Sequence, residues 1–231
     1  MVYSMCGRFV QITDPEKIRM GLFELDTDVA ALMEFFPRYN ITPSRDILTV
    51  INTPVPKLIF TRWGLIPSWA KDRSIGNHLI NAKAETLLAR PSFRDPFRRH
   101  RCIIFSDGFY EWKGSGKTKT PFFIRLKSRE PFCFAGLWDR WTDRATGENI
   151  LSSAIITTDA NAAVAGIHNR MPAILDPGDY RVWLSAGAEP DRTLMGCLKP
   201  YAAQEMEAYE ISRFVNNPGN DSAECIRSVI H

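Results

Sequence analysis

The stretch "RCIIFSDGFYEWK", residues 101–113, decides the fold class. Residues 101–106 run apolar like a buried strand, and Asp107-Gly108 supplies turn chemistry where the strand ends. Working outward, the same texture recurs. Upstream lie "DILTVIN" (46–52) and "KLIFTRWGL" (57–65), which alternate or run apolar like strands. Downstream follow "PFFIRLK" (121–127), reached through a Gly/Ser/Lys connection at 114–119, then "FCFAGLWD" (132–139), "ILSSAIITT" (150–158) and "MEAYEIS" (206–212). Helical patterns stand apart from these. "PEKIRMGLFEL" (15–25) has Asp14 as N-cap and Pro15 at its first position. "NAKAETLLAR" (81–90) has helical composition. "DPGDYRVWL" (176–184) pairs a cap at Asp176 with Pro177, and "PDRTLMGCLK" (190–199) repeats that style. Strand pairs joined by short turns, with helices grouped elsewhere, predict a single α+β domain rather than a doubly wound sheet.

Composition narrows the class. At 231 residues, with 45% hydrophobic and 24% charged residues, the chain suits a globular domain with a substantial core. A net charge of +3 neither demands nor excludes nucleic acid. No run approaches the roughly 18 apolar residues of a membrane span, and the start lacks the basic-then-apolar layout of a secretory signal. The 5 cysteines are scattered, with no C-x-x-C pair, which fits a reducing cytosol without disulfides or zinc. Cys102 and Cys133 sit in apolar runs and read as small buried hydrophobes. The expected setting is cytoplasmic, with no membrane, metal or organic cofactor and a monomeric chain.

Six stretches hold polar residues where a plain core would not: "CGRF" (6–9), "RYNITP" (38–43), "WGLIPSWAKD" (63–72), "NAKAET" (81–86), "DGFYEW" (107–112) and "IHNRMP" (167–172). Each has a bland alternative. Asn40 and Asn81 can be turn or cap residues, Trp63 and Trp69 core, Glu111 a solvated strand edge, and His168 a hydrogen-bonded structural histidine. Together, Cys6, Glu111, His168 and Asn81 supply a nucleophile, proton carriers and a polarising donor. On the residues alone, a cysteine-dependent enzyme and a set of ordinary structural residues both stay open.

The ordered blocks "MCGRF", "RYNITP", "WGLIPSWAKD", "NAKAET", "FRRHRCIIFSDGFYEW", "FAGLWD", "TTDAN", "IHNRMP" and "VNNPGNDSAECI" span nearly the whole chain. In them the sequence resembles the SRAP (SOS-response-associated peptidase) family, whose members shield abasic sites in single-stranded DNA. The resemblance implies an α+β fold with a mainly antiparallel, barrel-like β core, peripheral helices and a basic groove, occupying residues 6–231. It implies Cys6 as the covalent attachment point, with Asn81, Glu111 and His168 completing the active site. It also implies that Arg8 and Asn40 line the site and contact DNA, as do Trp69 of "PSW" and Lys83 of "NAKAET". Many relatives carry arginine where this chain has Lys83, which keeps the charge and loses bidentate geometry. The residues themselves add Lys71 beside Trp69, and the run "ARPSFRDPFRRHR" (89–101). There Arg90 and Arg94 are candidate phosphate contacts, with Phe93 and Phe97 interleaved for stacking. A charge run is by default a solvated face.

An abasic site opens to an aldehyde at C1′. An α-amine of pKa near 7.8 is about 10–15% neutral at pH 7, against roughly 0.1% or less for a lysine. An N-terminal cysteine therefore offers a competent amine, and its thiol can close the imine into a five-membered thiazolidine. In this sequence "MVYS" and Met5 precede Cys6, so its nitrogen is an amide until residues 1–5 are absent. Translation from Met5 with loss of that methionine, or self-cleavage of the Met5–Cys6 bond, would each expose it. The first reproduces the family's usual beginning. Competing readings are an autopeptidase without DNA chemistry, a non-covalent single-strand binder, and a cysteine hydrolase of outside peptides.

Overall fold

A computed structural model describes residues 6–16, 26–27, 33–114, 116, 119–187 and 189–229. The strands are β1 (Phe9–Gln11), β2 (Asp26–Thr27), β3 (Arg38–Ile41), β4 (Asp46–Ile51), β5 (Lys57–Trp63), β6 (Asn81–Lys83), β7 (Arg101–Ser106), β8 (Gly108–Lys113), β9 (Thr120–Leu126), β10 (Phe132–Thr142), β11 (Asn149–Asp159), β12 (Arg170–Pro172) and β13 (Met206–Glu210). One sheet runs β13-β9-β8-β1-β3. In the other, β11-β10-β7-β4-β5 close on themselves, because β5 pairs in parallel with β11 at Arg62↔Ser152 and Trp63↔Ser153. The result is a five-stranded barrel flanked by the second sheet. Closure removes free edges along these strands, whose alternate residues feed two apolar clusters.

The residues 101–113 do not form a hairpin. β7 belongs to the barrel and β8 to the second sheet, so the turn at Asp107 carries the chain from one sheet to the other. Asp107 is tied down by the far end of β1, accepting hydrogen bonds from Ile12 N (2.6 Å), Thr13 N (3.1 Å) and the Thr13 hydroxyl. Gly108 is required there, because a Cβ would stand 2.1 Å from the Phe123 ring. This sheet switch places β8, and Glu111 with it, beside β1.

The other predicted strands are present at or near the expected bounds. The helical reading of 81–90 is corrected: β6 pairs in parallel with β11 (Asn81↔Ile155, Thr157↔Lys83), and a single 3-10 turn follows at Ala84–Thr86. Pairing along the edge of β11 beyond β5 outweighs helix propensity in this short segment. The expected cap at Asp176 makes no capping hydrogen bond, its carboxylate pairing instead with Lys199 Nζ at 2.9 Å; a 3-10 turn at Pro177–Asp179 leads into the one-turn helix α2 (Tyr180–Trp183). Helix α3 (Asp191–Gly196) follows Pro190 rather than containing it. Asp14 does accept from Glu16 N at 2.9 Å, but most of the predicted helix 15–25 lies outside the described residues, as do residues 1–5.

Helix α1 (Pro91–Arg99) buries Phe93, Pro96 and Phe97 against the barrel. A second core fills the space between the sheets, where Phe9 meets Trp63 edge-on at 5.1 Å and Phe134 at 5.8 Å. Cys6 is part of this second core. Among the described residues no helix is long and apolar enough to cross a membrane.

Candidate active site

Four elements from both sheets converge at Cys6. The second sheet supplies Cys6 itself, just before β1, and Glu111 on β8; Tyr110 N donates to Arg8 O (3.0 Å) and locks the two strands in register. The edge of β11 supplies Asn81 through β6, and the turn between β11 and β12 supplies His168. The Cys6 backbone nitrogen donates to Glu111 Oε1 at 2.8 Å, and Asn81 Nδ2 donates to Cys6 O at 3.4 Å. His168 is held at Nδ1, which accepts from Arg170 N at 3.1 Å.

Two of these groups, Cys6 and Glu111, are buried, and burial shifts both. Cys6 is 1% exposed and Glu111 5%. Burial pushes the Glu111 carboxyl up. His168 and the hydrogen bonds from the Cys6 and Trp112 amides offset this only in part, leaving a group that holds its proton more readily than an ordinary glutamate. Burial, and secondarily Glu111, pushes the Cys6 thiol well above its usual range, so it rests as a thiol rather than a thiolate. Cys6 also has φ +40°, a left-handed conformation that costs a side-chain-bearing residue about 1–2 kcal/mol.

Arg170 joins three of the sequence blocks, and the sequence reading passed over it. Its Nη2 donates to Glu85 Oε2 (2.8 Å) of "NAKAET" and to Thr157 O (2.7 Å), and its Nη1 to Asp159 Oδ1 (2.7 Å) of "TTDAN". It thus fixes β6 and the His168 turn against β11. An arginine two residues beyond the histidine, with carboxylates in two neighbouring blocks, was the available signal.

The candidate DNA contacts divide. Trp69 is 56% exposed, and Lys71, Lys83, Arg90 and Arg94 are exposed, with Arg94 Nε 3.3 Å from Asp95. Asn40 is not available to DNA. It is 1% exposed, its amide donates to the carbonyls of Val215, Asn217 and Asn220, and its oxygen accepts from Arg8 Nη1 at 2.7 Å. Half-buried Arg8 also donates to Val215 O (2.8 Å) and lies over the Trp112 ring. Asp221 binds Arg38 and the β3 amides of Tyr39 and Asn40, so "RYNITP" and "VNNPGNDSAECI" form a brace beneath the site. Phe93 and Phe97 are core, not stacking platforms. Arg101, fully buried, donates to the carbonyls of Phe97, Arg98, Trp183 and Ser185. Arg98 pairs with Asp191 at 2.6 Å.

The family model described as SOS response associated peptidase (SRAP) matches residues 5–218. The chain belongs to this family. The SRAP chain is 45% identical over 227 residues to the abasic site processing protein YoqW of Bacillus subtilis, covering 97% of this chain and 100% of that one. It is 31% identical to the abasic site processing protein YedK of Escherichia coli, with coverage of 97% and 100%. A crystal structure of a Bacteroides thetaiotaomicron protein superposes with TM-score 0.86 at 29% identity, covering 97% of this chain and all of that one.

Proposed function

We propose that this protein captures abasic sites in single-stranded DNA through a thiazolidine formed by Cys6, once Cys6 is the first residue. The observation that carries this reading is the 2.8 Å hydrogen bond from the Cys6 nitrogen to a buried glutamate, with the thiol on the neighbouring carbon. With residues 1–5 absent, that nitrogen is an α-amine whose protons Glu111 can accept and return.

The chemistry balances without a cofactor. Glu111, proton-rich for a carboxyl, assists opening of the sugar ring to the C1′ aldehyde. The amine adds to C1′, and the carbinolamine loses one water to give an imine. The thiol then adds across the imine: sulfur bonds to C1′ and its proton passes to nitrogen, leaving a thiazolidine. The raised thiol pKa suits this order, because the amine attacks first and the sulfur needs no free thiolate in the resting site. Asn81, bonded to Cys6 O, orients the residue, and His168 assists the carbinolamine and imine steps. The exposed cations and Trp69 hold the strand, which places the protein on the nucleoid when lesions form there.

The positive φ at Cys6 favours a second, compatible activity. Hydrolysis of the Met5–Cys6 bond, with the hydroxyl of one water ending on the Met5 carbonyl carbon and a proton on the Cys6 nitrogen, abolishes that torsion and its strain, and Glu111 can protonate the departing nitrogen. The family match begins at Met5 and leaves residues 1–4 outside it.

The test is a denaturing gel of protein mixed with single-stranded DNA, with and without an abasic site. A shifted band that requires both the lesion and Cys6 supports covalent capture. A band of full strength from Cys6→Ala overturns it, and no band from any variant leaves a non-covalent binder.

A further inference from the structure

Trp69 is the tryptophan most open to solvent among the described residues, and the backbone on each side of it is pinned from below. Ser68 N donates to Asp139 Oδ2 at 2.8 Å, and Trp141 Nε1 donates to Ala70 O at 2.8 Å. Asp139 and Trp141 are each 5% exposed, whereas Trp69 is 56% exposed. They stand two apart on β10 and so project from the same face of the strand, a spacing that matches the two-residue step from Ser68 to Ala70. A third tie, from Ile66 N to Ser152 Oγ at 2.7 Å, fastens the segment to β11. Gly64 opens the segment with φ +126°, and a Cβ there would meet Gly76 O at 2.5 Å, so its entry is fixed as well.

Asp139 is built for this work. Its other oxygen accepts from Arg140 N at 2.8 Å and faces His100 Nδ1 at 3.5 Å, while the His100 ring lies over Trp138. Burial pushes the carboxyl up, but hydrogen bonds from His100, Ser68 N and Arg140 N outweigh it and hold the group below the ordinary aspartate value. The bond to Ser68 is therefore charge-assisted and strong. The "GLWD" and "RW" of β10, which the chemistry at Cys6 does not use, thereby acquire a task.

We propose that Asp139 and Trp141 are positioning residues for DNA: they clamp the backbone on both sides of Trp69 so that its indole is held out to stack on a base. An exposed tryptophan on a loose loop would lose backbone freedom on binding, and one on a clamped backbone has already lost it. The inference rests on the reading that Trp69 contacts single-stranded DNA, and it concerns binding alone, not the covalent step.

A double-mutant cycle tests it, using fluorescence anisotropy with a single-stranded oligonucleotide that lacks an abasic site. Trp69→Ala should weaken binding roughly fivefold or more, the low end for loss of a base–aromatic stack. Asp139→Asn and Trp141→Phe should each weaken the native protein about two- to fivefold, and should add nothing in the Trp69→Ala background. Trp141→Phe keeps the charge and most of the packing, so it decides the matter if Asp139→Asn unfolds. Additive effects in both cycles, native affinity in both clamp variants, or an unchanged Trp69→Ala overturns the proposal. Abasic crosslinking by the native protein, run alongside, separates the two readings. A lost crosslink with coupled binding condemns covalent capture only, and an intact crosslink with additive binding condemns only the clamp.

Discussion

The region around Cys6 and the arginine run at 89–101 looked similarly promising in sequence and came out opposite in structure. Around Cys6, isolated polar residues from positions 6, 81, 111 and 168 are drawn to one buried point by two sheets. In the arginine run, residues adjacent in sequence point to different tasks: Arg101 ties the ends of two helices, Arg98 pairs with Asp191, and Phe93 and Phe97 fill the core. The difference is one of alternatives. A buried carboxylate costs stability through desolvation, whereas an arginine, buried like Arg101 or exposed like Arg98, finds carbonyls and carboxylates wherever it falls.

Four predictions can break or sharpen this contrast. The largest effect belongs to Cys6→Ala, which should abolish the crosslinked band on a denaturing gel while leaving non-covalent binding to intact single-stranded DNA unchanged. Next, Glu111→Gln should slow crosslinking by about 10²–10⁴, the usual range for a lost general acid–base. It should also stabilise the fold at pH 8. The native Glu111 carboxyl has a raised pKa, so the folded state binds that proton more tightly than the unfolded chain does. Its penalty is therefore full above the folded pKa and fades as pH falls through it toward the ordinary carboxylate range. Melting curves of Glu111→Gln and the native protein should converge over that interval; a variant less stable than native at pH 8 would contradict the assignment.

On the other side of the comparison, Arg101→Met should cost about 2–4 kcal/mol of folding stability, because it leaves buried carbonyls without donors. At temperatures where it stays folded it should bind and crosslink DNA as the native protein does, as urea titration beside a gel assay would reveal. The smallest effects belong to Arg90→Ala and Arg94→Ala, each expected to weaken single-strand binding about two- to threefold and to lower the slope of affinity against salt by about 0.7 for a lost phosphate contact. An unchanged salt slope in both removes this helix from the DNA interface.

Much of the fold was legible, for a physical reason. Strands such as 46–51, 101–106 and 149–159 are buried by closure of the barrel, so their apolar runs report their state directly. What stayed hidden depends on partners far away in sequence. Nothing local in "NAKAETLLAR" announces that β11 has a vacant edge beside it, and the turn at Asp107 gives no sign that its two strands belong to different sheets. The candidate site was legible as residue types within ordered blocks. The supporting network of Arg170, Asp139 and Asp221 was not, because a charged residue that satisfies a buried backbone reads like any surface charge until its acceptors are known.

The central claim is that the Cys6 nitrogen, freed from the residues before it, attacks the lesion and holds it together with the Cys6 sulfur. Intact mass spectrometry of the purified protein, before and after incubation with an abasic oligonucleotide, tests it most directly. The account predicts a chain beginning at Cys6 and an adduct equal to protein plus cleanly captured DNA less one water. An adduct formed by chains that retain Met5, or by Cys6→Ala, would contradict it.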